Sequence, residues 1–266
     1  MRSSSELKIA TWNVNGIRAR LELILLWLQD RKPDLIGLQE IKIVDNEFPH
    51  EEFERIGYQA ITHGQKSWNG VAILSREPID LVQQGLPGEE ENGSRFLSVR
   101  QNDLLFATAY CPNGKDLKHP DYRRKLTWFK SLISHWETNN SSGQPAIICG
   151  DFNIVPQPYD SWRGEAGDGT MFHSLEERTV MKELMDLGLI DLYRLHNSND
   201  PNFSWWDYRG GSFHRNHGLR IDFILGNKDI ANLCTNALID RDYRKKKGEL
   251  TASDHAPVIA ELSAND

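Results

Sequence analysis

Short apolar runs that stop at a carboxylate, an amide or an imidazole recur along this chain, and few folds can hold so many of them. Residues 8–15 read as a strand closing on Asn13 and Asn15, and residues 34–40 as one closing on Glu40. Residues 146–153 form a buried apolar strand that ends Gly150-Asp151-Phe152-Asn153. Residues 220–225 carry Asp222 in an otherwise apolar strand, and Asp254-His255 precedes the last strand, 257–262. Side chains two apart on a strand share a face, so each pair of polar residues faces one way. Further runs at 70–75, 96–99 and 104–110 have strand length and composition.

Amphipathic helices separate these strands. Leu21, Ile24, Leu25 and Leu28 recur at helical spacing, and Pro33 stops that helix. Asp121 opens a second helix carrying Tyr122, Leu126, Phe129, Ile133 and Trp136. Ser174 and Glu177 make a capping box for a third, with Gly188 as its end. Many short strands interrupted by a few long helices predict two packed sheets with helices outside, a single α/β sandwich. No repeat or low-complexity tract divides the chain, and 141–145, the nearest thing to a linker, joins a helix to a strand. One domain over 1–266 is expected, with residues 1–7 flexible.

Composition removes several classes of function. With 39% hydrophobic and 26% charged residues the chain is neither disordered nor fibrous. Its longest apolar stretches are too short to span a bilayer, and the N-terminus lacks a secretory core, so a cytoplasmic protein is expected. The three cysteines (Cys111, Cys149 and Cys234) fit neither a disulfide framework nor a close-spaced zinc pattern, and Cys149 reads as a core residue. The net charge of −7 argues mildly against an anionic partner. Basic runs at 123–125, 214–220 and 241–247 read as solvated surface when each is taken alone.

Each polar strand end has an ordinary alternative, since Asn and Asp at strand ends are common turn formers. Recurrence is what counts. Five segments end in or hold oxygen ligands or imidazole, with almost no basic residue adjacent. If they converge, the carboxylates repel and require a cation or a proton among them. Oxygen ligation by carboxylates and amides suits Mg2+ or Mn2+, which complete their shell with phosphate oxygens. A phosphate ester is therefore the natural substrate class.

The segments Trp12-Asn-Val-Asn-Gly-Ile-Arg-Ala-Arg20, Ile36-Gly-Leu-Gln-Glu-Ile-Lys42, His63-Gly-Gln-Lys66 and Tyr110-Cys-Pro-Asn-Gly114 run in order along the chain. They are followed by Gly150-Asp-Phe-Asn153, Phe203-Ser-Trp-Trp-Asp-Tyr-Arg209, Gly218-Leu-Arg-Ile-Asp222 and Ser253-Asp-His-Ala-Pro257. Together they resemble the exonuclease III family of abasic-site endonucleases, within the endonuclease/exonuclease/phosphatase superfamily. The glycine-aspartate and Ser-Asp-His segments are shared across that superfamily, including sphingomyelinases and inositol polyphosphate phosphatases. The Leu-Gln-Glu-x-Lys, Trp-x-Asp-Tyr-Arg and Leu-Arg-Ile-Asp segments are more specific to the abasic branch.

The resemblance implies a four-layer α/β sandwich of two mixed sheets flanked by helices. It also implies a magnesium-dependent repair activity on double-stranded DNA with abasic sites or blocked 3′ ends, in a monomer that binds no membrane. Glu40 is then the principal metal ligand, with Asn13 and Asp254 nearby. Asp151 is the general base, Asn153 orients it, and His255 donates to phosphate in the tautomer that Asp222 fixes. Tyr110 would bond the phosphate or the leaving oxygen. Two points stay open: whether Asp151 or His255 is the base, and whether Asn13, Asp151, Asn153 and His255 hold a second ion. Trp205 and Trp206 with Leu219 and Ile221 would line a slot for a flipped, baseless sugar, Arg209 filling the gap in the helix. Trp206 stands where the common bacterial sequence has Phe. Arg18, Lys66, Asn113 and Lys115 would contact phosphates. A phospholipid or inositol-phosphate hydrolase and a silent DNA-binding module are the competing readings.

Overall fold

The computed structural model describes residues 6–140 and 143–263. The strands in chain order are β1 (Leu7–Asn13), β2 (Leu35–Gln39), β3 (Gln59–His63), β4 (Val71–Ser75), β5 (Asp80–Gln84) and β6 (Phe96–Gln101). They continue with β7 (Leu104–Tyr110), β8 (Ala146–Asp151), β9 (Ile190–Asp191), β10 (Asp222–Gly226), β11 (Cys234–Ile239) and β12 (Val258–Leu262). The helices are α1 (Ile17–Arg31), α2 (His50–Glu54), α3 (Pro120–Asn139), α4 (Leu175–Met185), α5 (Leu192–His196) and α6 (Lys228–Leu233). Of the N-terminal segment expected to be flexible, residues 1–5 lie outside the described residues, as do 141 and 142 of the linker candidate. Leu7 already pairs with Leu262.

Two six-stranded sheets form, in the orders β11-β12-β1-β2-β4-β3 and β5-β6-β7-β8-β10-β9. Each has one parallel pair at its centre, β1 with β2 and β7 with β8, and every other neighbour is antiparallel. A parallel pair brings two C-terminal strand ends side by side, and an antiparallel neighbour begins where they stop. Asn13, Gln39, Tyr110 and Asp151 close the four central strands, while β10 opens with Asp222 opposite Asp151. β12 pairs with β1 and is entered from Asp254-His255. Connectivity alone thus gathers the polar residues at one edge of both sheets.

Apolar side chains of both sheets, among them Ile9, Leu35, Ile73, Phe106, Ile147 and Val258, pack against each other. The other face of β7 and β8 is covered by α3 and α4, through Phe129, Leu132, Met181 and Leu184. The other face of β1 and β2 is covered by α1, through Leu23, Ile24, Trp27 and Leu28. The result is the four-layer sandwich. The buried face of α1 is turned from the expected stripe: Leu21 and Leu25 lie at its margin and Trp27 at its centre. Trp27 packs 5.5 Å from Trp12 and donates to Asp240. The capping box on α4 forms as expected, with Ser174 and Glu177 each bonding the other's backbone.

Two glycines set how closely strands approach. A Cβ on Gly37 would lie 2.5 Å from Thr108 Oγ1 and 2.9 Å from Cys149 Sγ, both on the opposite sheet. Gly150, at φ +142, sits against β7 so tightly that a Cβ would lie 1.9 Å from the Ala109 carbonyl oxygen. We expect Gly150→Ala to destabilise the protein by at least about 3 kcal/mol, combining a disfavoured φ with a backbone clash. Urea unfolding followed by circular dichroism checks this, and a wild-type midpoint would refute it.

Candidate active site

Asn13 is the hub of the site. Its Nδ2 donates to Glu40 Oε1 at 2.8 Å and to Asp151 Oδ2 at 2.9 Å, so one amide joins carboxylates from the two sheets. Its Oδ1 accepts from the Asn15 amide. In this arrangement Asn13 orients Glu40 and Asp151 toward each other. Asp151 Oδ1 accepts from the Asn153 backbone amide at 3.0 Å, while the Asn153 side chain donates to the Cys111 carbonyl. His255 Nδ1 lies 2.8 Å from Asp222 Oδ2, and its Nε2 lies 3.8 Å from Asp151 Oδ2.

Burial and crowding decide the protonation of these groups. Burial, and then the charge of Asp222, push the Asp151 carboxyl up to about 8. Burial alone would lower the His255 imidazole, but Asp222, with Asp151 and Asp254, outweighs it and holds the ring up at about 10. Burial likewise opposes ionisation of Glu40, and the Lys42 ammonium and Asn13 amide overcome it, leaving the carboxyl below its usual range. Asp254 is also held low, with burial outweighed by His255 and the Trp205 indole. Burial, then the neighbouring Glu40 and Asp151, raise the Tyr110 hydroxyl well above its ordinary value, so it stays a donor.

Protons therefore accumulate where carboxylates crowd, which is where a divalent cation fits. Glu40, Asp151 and His255 each offer one ligand atom, all within 4.8 Å of one another. Two carboxylates and one imidazole suit a hard or borderline divalent ion. Of the other expected ligands, Asn153 flanks Asp151, whereas Asp254 is tied to Asn15 Nδ2 and Trp205 Nε1, each at 3.0 Å.

The expected DNA contacts divide. Trp205, Leu219 and Ile221 form one apolar cluster with Val155 and Phe172. Trp206 does not join it: it packs with Phe203, Phe213 and Ala256 and has 0% exposed surface, so it presents no face to a ligand here. Three of the four residues expected to line a slot thus share one cluster, and Trp206 lies apart from them. Gly218 is the reason, because without a Cβ it lets the Trp206 ring approach from behind. Lys66 and Asn113 are exposed. Arg18, Lys115 and Arg209 are exposed but paired with Glu47, Asp121 and Asp207.

Several supporting residues lie inside the quoted segments, but the sequence assigned them no role. Ser204 Oγ donates to Asp222 Oδ2 at 2.6 Å and accepts from the amides of Ile221 and Asp222. Ser253 Oγ donates to the Asn13 carbonyl. Lys42 Nζ contacts Glu40 Oε2 at 2.8 Å and Asn15 Oδ1 at 2.6 Å, so a basic residue does stand beside the acids. The Ser204 position lies inside a recognised segment, but its role depends on a contact 18 residues away.

A model of the endonuclease/exonuclease/phosphatase family matches residues 10–255. Exodeoxyribonuclease III of Haemophilus influenzae is 33% identical over 269 residues, covering 96% of this chain and 100% of that protein. The structure of an AP endonuclease from Archaeoglobus fulgidus superposes with a TM-score of 0.92 at 32% identity, covering 96% of this chain and 99% of the other. A 3′ phosphatase from Neisseria bound to a product DNA hairpin gives 0.93 at 34% identity, covering 97% and 99%.

The protonation pattern predicts a pH effect with a defined sign. Asp151 and His255 both hold protons in the folded protein at pH values where the unfolded chain has released them, so stability falls as pH rises. In the presence of chelator, the melting temperature should fall between pH 7 and 9, a window below the His255 value and across that of Asp151. Added Mn2+ should flatten the slope and release protons on binding, measurable by calorimetry in buffers of different ionisation enthalpy. A flat chelated profile would contradict the assignment.

Proposed function

Because the chain belongs to the endonuclease/exonuclease/phosphatase family, as a hydrolase of the exodeoxyribonuclease III type, we propose that it cleaves the backbone of duplex DNA at abasic sites and at 3′ ends. On this reading it removes 3′-phosphates, 3′-blocking groups and terminal nucleotides with Mg2+ or Mn2+ bound, in base excision repair. The whole chain acts as one catalytic unit, a cytoplasmic monomer. Among the described residues no helix is long and apolar enough to cross a membrane. The observation that carries the reading is the Asn13 amide joining Glu40 and Asp151, beside an imidazole fixed by Asp222. The names of its relatives cover exonuclease, abasic-site endonuclease and 3′-phosphatase.

Phosphodiester hydrolysis needs charge neutralised on the non-bridging oxygens, an oriented water and a stabilised leaving oxygen. Glu40, with Asp151 beside it, would hold the divalent cation, which when bound offsets negative charge on the phosphate. His255, kept as imidazolium with Nδ1 on Asp222, is a poor base at neutral pH and a good donor to a phosphate oxygen. Asp151 is the base on this reading: once the proton that crowding holds on it is displaced by the bound cation, its carboxylate can take one from water. Asn153 orients it through its backbone amide. Tyr110 donates to the phosphate or leaving oxygen.

The baseless sugar would enter the slot of Trp205, Leu219 and Ile221, with Trp206 supporting it from behind. Arg209, 90% exposed, would exchange its Asp207 partner to reach the gap in the duplex. Arg18, Lys66, Asn113 and Lys115 hold phosphates. Asp254 anchors Trp205 through its indole and so couples the slot to the acids.

The test is a labelled duplex with a single abasic site, compared with 3′-phosphate and intact ends, with and without chelator. Incision should vanish with chelator and fall at least about a hundredfold in Asp151→Asn, the usual contribution of a positioned base. Asp222→Asn should lower turnover by a similar factor and remove the alkaline displacement of His255 in an NMR titration. Full turnover by Asp151→Asn would remove the proposed chemistry. Hydrolysis of a soluble phosphate ester, with every DNA substrate left intact, would reassign the substrate.

A further inference from the structure

In sequence, Arg123-Arg124-Lys125 reads as a solvated basic run. Its third member is fully buried on α3, with 0% of its side chain exposed, as is that of its partner Glu177 on α4. An ammonium has three N–H bonds, and here each finds an acceptor. They are Glu177 Oε1 at 2.5 Å, the Asn153 carbonyl at 2.6 Å and the Asn113 carbonyl at 3.3 Å. The Phe172 ring lies across it, 5.0 Å from Nζ to centroid. Gly114 lets the lysine stem pass, since a Cβ there would lie 3.2 Å from Lys125 Cδ.

Two connections therefore meet at one buried charge: the one after β7, through Asn113, and the one from β8 to α4, through Asn153 near its start and Phe172 near its end. Asn153 adopts φ +51, a left-handed conformation that costs energy in a residue with a Cβ. Its amide is held by Asp151 Oδ1 and its side chain by the Cys111 carbonyl. The Lys125 bond to its carbonyl completes that restraint. Packing alone does not call for a charge here, because a buried ion pair is commonly replaced by apolar side chains without loss of stability. What the ammonium adds is its grip on two loop carbonyls.

We propose that Lys125 is a positioning residue: it locks the Asp151–Asn153 turn and the Asn113 loop beneath the site. The inference rests on the reading of that site as a phosphodiesterase. Its test removes both charges at once, so that no unpaired carboxylate is left behind. The double variant Lys125→Met/Glu177→Gln should melt within a few degrees of wild type. Its kcat on a 3′-phosphate duplex should fall about ten- to a hundredfold, the scale of an ångström of misplacement, with KM nearly unchanged. Amide hydrogen exchange should speed up in peptides covering 111–115 and 151–156 but not in β1.

Glu177→Gln alone keeps the ammonium on Asn153 and should retain kcat within about threefold. If the double variant does not fold, this single variant still decides: loss of kcat in it refutes the proposal. A double variant with wild-type kcat and exchange would also overturn it, as would equal kcat losses in both variants. Wild-type protein inactive on every DNA substrate would sink the phosphodiesterase reading instead, while the exchange measurement would still test the clamp.

Discussion

Asp151 stands on one sheet and Glu40 just beyond a strand of the other, so their shared contact with Asn13 depends on the spacing between sheets. A buried amide one residue before Glu40 fixes that spacing. Gln39 Nε2 donates to Thr11 Oγ1 at 2.9 Å within its own sheet and to Thr108 Oγ1 at 2.8 Å across the interface. Gly37, lacking a Cβ, lets Thr108 and Cys149 come close enough for this bond to form. A polar bridge in an otherwise apolar layer costs desolvation, and it returns direction, which dispersion contacts lack. The site is thus a property of how two sheets are held together, and neither sheet could form it alone.

How much of this was legible in the chain follows from where each strand sits. Eight strands stood out as apolar runs, and they are the eight interior strands of the two sheets. The four that the pattern did not mark, β3, β5, β9 and β11, are the four edges. An interior strand is covered on both faces and reads as a continuous apolar run. An edge strand such as β5, Asp80–Gln84, is mostly exposed, and its polar residues guard an open row of backbone groups. The short helices α2, α5 and α6 escaped notice for a related reason, being too short to develop a periodic face.

The site divided along similar lines. Residues at strand ends were visible because a polar side chain ending an apolar run is conspicuous. The roles of those that hold them were not, because Ser204 and Ser253 act through Asp222 and Asn13, partners that only the fold brings near. The basic runs were the most misleading feature. Lys125, Arg220 and Arg244, one from each, are buried, and Arg220 is bound to both Asp160 and Asp191. A run of cations looks like solvated surface until the fold supplies acceptors within reach, carboxylates for Lys125 and Arg220 and the Trp206 and Asp254 carbonyls for Arg244. Trp205 and Trp206 part because consecutive residues in an extended segment point to opposite sides, and Gly218 leaves room for the Trp206 ring on its own side.

These buried cations also bear on how an acidic chain could hold a polyanion. A net charge of −7 counts Lys125 and Arg220 together with their buried partners Glu177, Asp160 and Asp191, ions that offset one another inside the protein and never face a ligand. At the surface, Arg18, Lys115 and Arg209 each carry a carboxylate partner. Exposed ion pairs of this kind contribute about 0–1 kcal/mol, so exchanging a carboxylate for a phosphate oxygen costs little. The exchange also returns little, because the counter-charge is released to water and not neutralised. Binding by such a surface would be loose and easily reversed, with the strongest attraction confined to the acids at the sheet edge if they hold a cation. On the proposed reading, in which the enzyme must find a rare lesion, weak general contact beside one strong local site is the more useful distribution, since tight contact everywhere would hold it on undamaged duplex.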